Sequence, residues 1–191
     1  MIDRYTNKEM KQIWNEENKY QTWLKVELAV LEAYRNRGLI PNDDFQKIMK
    51  TKVNPQRIRQ LEEQTHHDLI SFTRQIGENL GPEKKWIHYG LTSTDIVDTA
   101  NACLLKEANT LIEEALSSFI EALKEKALKY RNTACIGRTH GIHAEITSFG
   151  LKWALFYDEA LRNQLRFQEA RKGIESGKLS GAVGNFANID P

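Results

Sequence analysis

The chain has few of the residues that break or cross-link a protein. It contains four prolines and two cysteines in 191 residues, and no apolar run approaches the ~20 residues that a membrane-spanning helix needs. Cys103 and Cys135 are isolated and share no metal-type spacing. Two such thiols exclude a disulfide-stapled scaffold and predict the reduced cysteines of a cytosolic protein.

An excess of charge of one sign is also lacking. The 27 basic and 26 acidic residues leave a net charge of +1, so the overall field favours neither nucleic acid nor a membrane surface as a partner. Residues 1–5 carry no apolar signal region, and we therefore expect a cytoplasmic protein. The 40% of hydrophobic residues suffice for a core, and the 28% of charged residues suit a soluble chain.

Helical periodicity is what the sequence does contain. Residues 6–9 match a capping box, and Asn54-Pro55 opens a later helix with proline at its first position. One face of the pattern between them carries Tyr20, Trp23, Leu24, Leu28, Leu31 and Tyr34. None of the helical segments alternates with period two. We therefore predict an all-α fold with essentially no sheet.

Two helical patterns exceed the usual length of a globular helix. The first runs from Ile96 to Arg131, with Asn109 as a candidate break, and the second runs from about residue 146 to 176. Patterns of this length are typical of an elongated bundle. We expect a small amino-terminal helical domain over residues 1–110 and the first part of a truncated central bundle over residues 111–191.

These long helices carry more apolar surface than one neighbour would cover. The surplus includes Phe119 and Ile120 on the first helix, and Trp153 and Phe156 on the second. Large apolar stripes are rarely left in water. We expect them to pack against other helices, within the chain or from other copies of it.

Two polar segments interrupt the helical pattern. One is residues 137–144, GRTHGIHA, which we interpret as a loop, and the other is residues 86–95, WIHYGLTSTD. Polar residues on loops held by rigid helices are typical of functional sites. Histidine is the side chain whose proton moves near neutral pH. Together the segments indicate an enzyme.

The histidines group into three clusters, each at a loop or a helix start. They are His66 and His67, then His88, and then His140 and His143. A lone histidine is usually structural, whereas three polar clusters favour function.

The two obvious roles for these histidines are metal binding and proton transfer. His140 and His143 stand three apart, but no Glu or Cys lies at a matching offset, and Gly141 prevents a rigid helix there. Zinc is therefore the weaker interpretation. Asp68, directly after His67, offers instead a carboxylate that orients an imidazole for acid–base work.

The residues that open the first long helix allow two compatible interpretations. Thr92, Ser93 and Asp95 are favoured helix caps, and a helix start with free N–H groups also attracts phosphate or carboxylate. Residues 177–184, GKLSGAVG, form a glycine-rich loop that could cradle an anion. This loop does not match the phosphate loop of nucleotide hydrolases.

Four of these segments resemble those of a known family. KWIHYGLTSTD at residues 85–95 and GRTHGIHA at residues 137–144 closely resemble the two signature segments of the adenylosuccinate lyases, in the aspartase–fumarase superfamily. MIDRY at residues 1–5 and GKLSGAVG at residues 177–184 resemble the same family. The resemblance covers the whole chain in order. Argininosuccinate lyases match less well, because their counterpart of the His88 segment is of a Ser-Arg-Asn type.

The resemblance implies an all-α homotetramer built on a long helical bundle. It implies a small-molecule nucleotide substrate: fumarate is eliminated from adenylosuccinate, giving AMP, and from the succinyl form of the aminoimidazole carboxamide ribotide. It implies no metal and no organic cofactor.

The resemblance also implies roles for individual residues. His140 falls at the position of the general acid that protonates the leaving nitrogen, and His67 at that of a second histidine that supports it. The positions that match or adjoin contacts to nucleotide and phosphate are Arg4, Tyr5, His66, Asp68, His88, Thr92 and Ser93. At His66 close relatives often carry arginine, so a fixed positive charge is absent here.

The family's general base is not found in these residues. It is a serine in a loop of the Ser-Ser-x-Met-Pro-x-Lys-x-Asn type, and no such segment occurs in this sequence. Family members are more than twice this length. We therefore expect an amino-terminal fragment that is inactive by itself. The alternatives are another fumarate-releasing lyase of the superfamily and a non-catalytic helical assembly module.

Overall fold

The computed structural model describes residues 2–189, about two thirds of which are helical. The α-helices and strands of this stretch are α1 Lys8–Ile13, α2 Glu16–Asn36, α3 Asn42–Ile48, α4 Pro55–Thr65, α5 Asp68–Gly77, α6 Ser93–Lys129, β1 Ala134–Thr139, β2 Ile142–Ser148 and α7 Phe149–Ile174. Two 3₁₀ helices span Asp3–Tyr5 and Pro82–Trp86. The predicted all-α class is confirmed. Among the described helices, none combines the length and apolar character that crossing a membrane requires.

The chain divides into two compact units. The first holds the residues up to Glu107 and those from Glu175 onward, and the second holds the stretch between them. The boundary falls inside α6, which runs without interruption through Asn109. The candidate break at Asn109 is therefore wrong, since packing overrides the weak helix propensity of asparagine.

An aromatic cluster forms the centre of the first unit. Trp23 of α2 meets Phe72 of α5 edge to face with ring centroids 5.5 Å apart, and Tyr20 packs against Trp23 at 5.3 Å. These side chains are buried, as are Leu24 and Leu31 of α2. The predicted apolar face of α2 is thus the core face, and each large side chain on it contributes ~1.5–3 kcal/mol through burial.

In the described part of the chain, asparagine side chains cap the starts of α1, α2 and α4. Asn54 caps α4 with Pro55 at the first helical position, as predicted. At α1 the cap is Asn7, whose side chain accepts hydrogen bonds from the backbone N–H groups of the first turn. The capping-box pattern had pointed to Thr6, one position earlier. Either residue type satisfies the free N–H groups of a first turn.

Residues 134–148 form a β-hairpin where the sequence predicts a loop and no sheet. β1 pairs antiparallel with β2, with a register shift between Ile136 and Arg138. The turn residues His140 and Gly141 have φ values of +52° and +75°. Positive φ at both positions is the type I′ geometry that matches the twist of a hairpin. The prediction of a loop is wrong.

Two features of the sequence made this hairpin difficult to predict. Ile142, Ala144 and Ile146 alternate with polar residues, which is the period-two pattern of a strand, but over a very short stretch. The turn also has histidine where asparagine or aspartate usually precedes glycine. Because β2 takes these residues, α7 begins only at Phe149.

In the second unit, α6 and α7 pack through a small core. Ile120 of α6 and Ala160 of α7 are buried, and Trp153 packs against them. Phe119 and Phe156 are 55% and 43% exposed. The expected packing within the chain is therefore found for Ile120 and Trp153, whereas the rings of Phe119 and Phe156 lie on the surface.

Candidate active site

A buried carboxylate organises the start of α6. Asp95 is 0% exposed, and its Oδ2 accepts a hydrogen bond from the Thr92 backbone N at 2.9 Å. Its Oδ1 accepts from the backbone N–H groups of Ser180 at 3.0 Å and Gly181 at 3.1 Å, and from Lys178 Nζ at 2.8 Å. One side chain thereby closes the helix start and holds the glycine-rich loop against it.

A second set of contacts fastens the same loop. Thr99 Oγ1 donates to the Lys178 carbonyl at 2.8 Å and accepts from the Lys178 backbone N at 2.9 Å. Lys178 Nζ also donates to Thr94 Oγ1 at 2.9 Å. The two segments that the sequence singled out separately as anion-binding candidates, residues 92–95 and 177–184, are therefore joined into one surface.

Asp95 is charged despite its burial. Burial is the largest single influence and raises its pKa, but Lys178 and the backbone N–H groups of Thr92, Ser180 and Gly181 together outweigh it. The net result is a pKa below the usual aspartate value. Hydrogen bonds to the ionised form have this effect. Asp95 supplies the capping contact that the sequence predicts at the helix start, and Thr92 and Ser93 are partly exposed.

A second buried carboxylate holds His88. Glu27 of α2 is 1% exposed, and its Oε1 lies 2.7 Å from His88 Nδ1. Its Oε2 accepts from the His88 backbone N at 3.1 Å. His88 has a φ of +59° and is partly exposed, and Glu27 contacts both its backbone at this bend and its ring.

The turn around His88 is further fixed by aromatic residues. Tyr34 donates from its hydroxyl to the Tyr89 carbonyl at 3.3 Å, and Gly90 has a φ of +74°. A Cβ on Gly90 would lie 2.4 Å from a methyl group of Ile189, so only glycine fits. Burial chiefly, then Tyr89, Asp95 and Glu27 raise the pKa of Tyr34. Tyr34 is therefore a protonated donor near both buried carboxylates.

His66 and His67 form the corner between α4 and α5. His66 ends α4 with a φ of +52° and donates its backbone N–H to the Glu62 carbonyl. The corner is tied by Thr65, whose Oγ1 accepts from the His67 backbone N at 3.2 Å. His67 Nδ1 lies 3.4 Å from Asp68 Oδ1, and both side chains are nearly half exposed. In the described residues, the hydrogen bonds of this corner do not reach the His88 turn or the start of α6.

The predicted acid lies in the second unit. His140 is exposed at the tip of the hairpin, and His143 lies on β2 opposite Arg138. Arg4 and Tyr5 belong to the first unit, where both are exposed and the Arg4 guanidinium lies 4.8 Å from the Tyr5 ring centre. The candidate residues are thus divided between the two units. Within the described residues, no group of three His, Cys, Asp or Glu side chains is close enough to hold a metal ion.

Backbone geometry singles out the same histidines. Among the described residues, the non-glycine positions with positive φ are His66, His88, His140 and Phe186. Such conformations cost of order 1 kcal/mol or more and are concentrated at active sites and ligand clamps. Three of the predicted site residues therefore have a feature that is rare elsewhere in the chain.

The sequence-based prediction of site residues did not include Glu27 or Lys178. It also did not include the role of Asp95 in joining the start of α6 to the glycine-rich loop. The sequence does contain a signal for Glu27. This residue stands four residues from both Trp23 and Leu31 and so places a charged residue type on the apolar face of α2. A charge at a core position is rarely buried without a partner. Lys178 left no such signal.

Comparison with known proteins agrees with this architecture. The protein-family model described as "Lyase" matches residues 3–191. Adenylosuccinate lyase of Staphylococcus saprophyticus is 52% identical over 192 residues, covering 100% of this chain and 44% of that enzyme.

Solved structures give the same result at the level of the fold. The fumarate lyase from Mesorhizobium sp. BNC1 matches with a TM-score of 0.87 at 27% identity, over 94% of this chain and 43% of that one. The 3-carboxy-cis,cis-muconate lactonizing enzyme from Pseudomonas putida matches with a TM-score of 0.88 at 26% identity, over 98% of this chain and 45% of that one. The chain spans less than half the length of each of these relatives. It belongs to the lyase family of the aspartase–fumarase superfamily.

Proposed function

We propose that this chain contributes to an adenylosuccinate lyase, a C–N lyase that releases fumarate from adenylosuccinate and from the succinyl form of the aminoimidazole carboxamide ribotide. The observation that carries the proposal is the set of hydrogen bonds that Lys178, Ser180 and Gly181 donate to Asp95. It unites two signature-like segments 85 positions apart into one surface. The 52% identity over the whole chain supports the choice of substrate.

The polar groups of this surface suit such a substrate. Adenylosuccinate carries a phosphate and two carboxylates, and anions of this kind are bound by backbone N–H groups at helix starts, by hydroxyls and by cationic side chains. Thr92 and Ser93 offer these groups in the first unit, where His88 is proposed to contact a donor group of the substrate. Arg4, Tyr5 and His66 are the further proposed contacts.

The reaction requires a base that acts on one carbon of the succinyl group and an acid that acts on the nitrogen bound to the neighbouring carbon. The base removes the proton beside a carboxylate, the C–N bond breaks as the C=C bond of fumarate forms, and the acid gives a proton to the departing nitrogen. We assign the acid to His140 and a supporting role to His67 with Asp68. The base has to come from outside these 191 residues, because no serine loop of the family's type occurs in them.

The assembly follows from the same proposal. The exposed rings of Phe119 and Phe156 would be covered by other copies of the chain in a homotetramer, and each site would combine groups from several copies. The proposed location is the cytoplasm.

The test is the substitution His140→Gln in the full-length lyase. Loss of a positioned proton donor costs ~10²–10⁴-fold in rate, so fumarate release should fall by about that factor while the substrate still binds. His143→Gln is the matched control, because it changes a histidine on the same hairpin that has no assigned role. Near-normal turnover in His140→Gln, or an equal loss in both variants, would remove the acid assignment.

A panel of other succinyl substrates tests the substrate itself. Adenylosuccinate should be the preferred one. Faster turnover of a different fumarate-yielding substrate would show that the chain belongs to a sibling enzyme of the superfamily.

A further inference from the structure

The contact between Glu27 and His88 is an arrangement that neither the resemblance nor the comparisons assign. Glu27 lies on the core face of α2 and is 1% exposed. Both of its oxygens contact the same residue, Oε1 the ring and Oε2 the backbone of His88. A buried carboxylate is tolerated only when it is well paired, so this double contact is a built feature of the fold.

We propose that Glu27 is a positioning residue that holds the proton of His88 on Nδ1 and presents Nε2 to the substrate. The role in the reaction rests on the proposed function, whereas the position of the proton does not. An ionised carboxylate only accepts hydrogen bonds. At 2.7 Å from Oε1, Nδ1 is therefore the nitrogen that bears hydrogen, and Nε2 is left for the outward side of the ring.

The backbone contact fixes which oxygen of Glu27 accepts from the backbone of His88 and which oxygen faces its ring. The N–H of His88 can only donate, and it donates to Oε2 while the residue holds a φ of +59°. One carboxylate therefore stabilises the left-handed backbone and the ring direction together. The orientation of an imidazole by its partner on the inner nitrogen is a general device for fixing a tautomer.

The substitution Glu27→Gln gives a sharp test. Glutamine keeps the shape of the side chain but replaces one accepting oxygen with an NH₂ group that only donates. The amide oxygen has to accept from the obligate donor, the His88 backbone N–H. The amide NH₂ then faces Nδ1 and can only donate to it. Nδ1 should lose its hydrogen, and the hydrogen should move to Nε2.

The measurement is ¹⁵N NMR of the histidine side chains in the chain labelled with ¹⁵N-histidine, with the His88 signals identified by their loss in His88→Asn. In the wild type we expect hydrogen on Nδ1 of His88, and in Glu27→Gln a bare Nδ1 with hydrogen on Nε2. A wild-type His88 with a bare Nδ1, or an unchanged pattern in Glu27→Gln, overturns the proposal. Glu32→Gln is the control, since Glu32 is an exposed residue of the same helix and should leave the pattern unchanged.

Kinetics of the full-length lyase supply a second measurement. Because Nε2 without hydrogen accepts a hydrogen bond from the substrate and Nε2 with hydrogen cannot, Glu27→Gln should raise KM for adenylosuccinate by roughly ten- to hundredfold, the effect of leaving one donor unpaired, and change kcat much less. An equal effect on kcat with unchanged KM would contradict the role of Glu27 in positioning a binding group. A protein without activity on adenylosuccinate would refute the proposed function and leave the NMR result standing.

Discussion

Two carboxyl side chains of the first unit are buried, and each has several hydrogen-bond partners at once. Asp95 accepts from three backbone N–H groups and one ammonium, and Glu27 accepts from the backbone and ring of His88. Breaking such a pair leaves an uncompensated buried group, which costs more than the pair itself contributes. Single substitutions at these residues should therefore have the largest effects in the unit.

The pKa of Asp95 leads to a prediction about pH. Because this pKa lies below the usual aspartate value, the charged side chain stabilises the fold at every pH above the unfolded-state pKa of ~3.9. That stabilisation disappears as the pH falls through the lower, folded-state pKa. We expect Asp95→Asn to reduce the free energy of unfolding by ~3 kcal/mol at neutral pH, and we expect its difference from the wild type to shrink in acid.

Urea unfolding over a pH series measures this difference. Asp98→Asn is the matched control, an exposed carboxylate of the same helix, which should change stability by no more than ~0.5 kcal/mol. A difference for Asp95→Asn that stayed constant from neutral pH into acid would mean that its charge plays no part.

At the scale of elements, the β-hairpin shows where local patterns are insufficient. The longer helices, such as α2, were predicted well because eleven or more residues repeat one spacing, whereas the short α3 was not predicted. The hairpin consists of a short alternation and a two-residue turn in which His140 replaces the usual asparagine. Its turn places the proposed acid at an exposed tip, so the element that was missed is the one that displays His140.

Gly141 tests the turn. A Cβ there meets nothing within 4 Å, so an effect of substitution comes from its φ of +75° alone. We expect Gly141→Ala to destabilise the second unit by ~1 kcal/mol and to lower fumarate release in the full-length lyase by misplacing His140.

Gly173→Ala is the matched control for this variant. Gly173 also has nothing within 4 Å, but it lies in α7, where alanine is preferred by roughly 0.5–1 kcal/mol. Thermal unfolding should therefore separate the two variants in opposite directions. Equal melting temperatures would show that the turn does not need a positive φ.

The chain spans less than half the length of the relatives it matches and leaves apolar groups exposed. It spans 44% of the length of an adenylosuccinate lyase. Rings such as Phe119 and Phe156 are open to solvent in the single chain. The predicted domain boundary near residue 110 and the tetramer both remain predictions.

At this scale we expect the 191-residue chain to be inactive by itself. Holding reactants in the right geometry supplies ~7–11 kcal/mol of a barrier, and a site without its base cannot use it. Fumarate release from adenylosuccinate, followed by absorbance, measures this directly, with a full-length relative as the positive control. Turnover within about tenfold of that relative, equivalent to 1.4 kcal/mol, would show that the assignment of the base is wrong.

What the sequence by itself determined is local. The helical class, the core face of α2, the cap at Asn54 and the family segments all follow from residues a few positions apart, because helix spacing and capping act within one or two turns. The site residues that these segments predict stay predictions.

The tertiary structure alone decided which of these segments meet. The contact of Glu27 with His88 joins residues 61 positions apart, and that of Asp95 with Ser180 joins residues 85 positions apart. No local spacing encodes such pairs, because they form only when separate elements pack around one core and a buried charge requires the nearest donor. The roles of Glu27 and Lys178 therefore depend on the fold, while His88, which Glu27 contacts, stands in a segment that the sequence singles out.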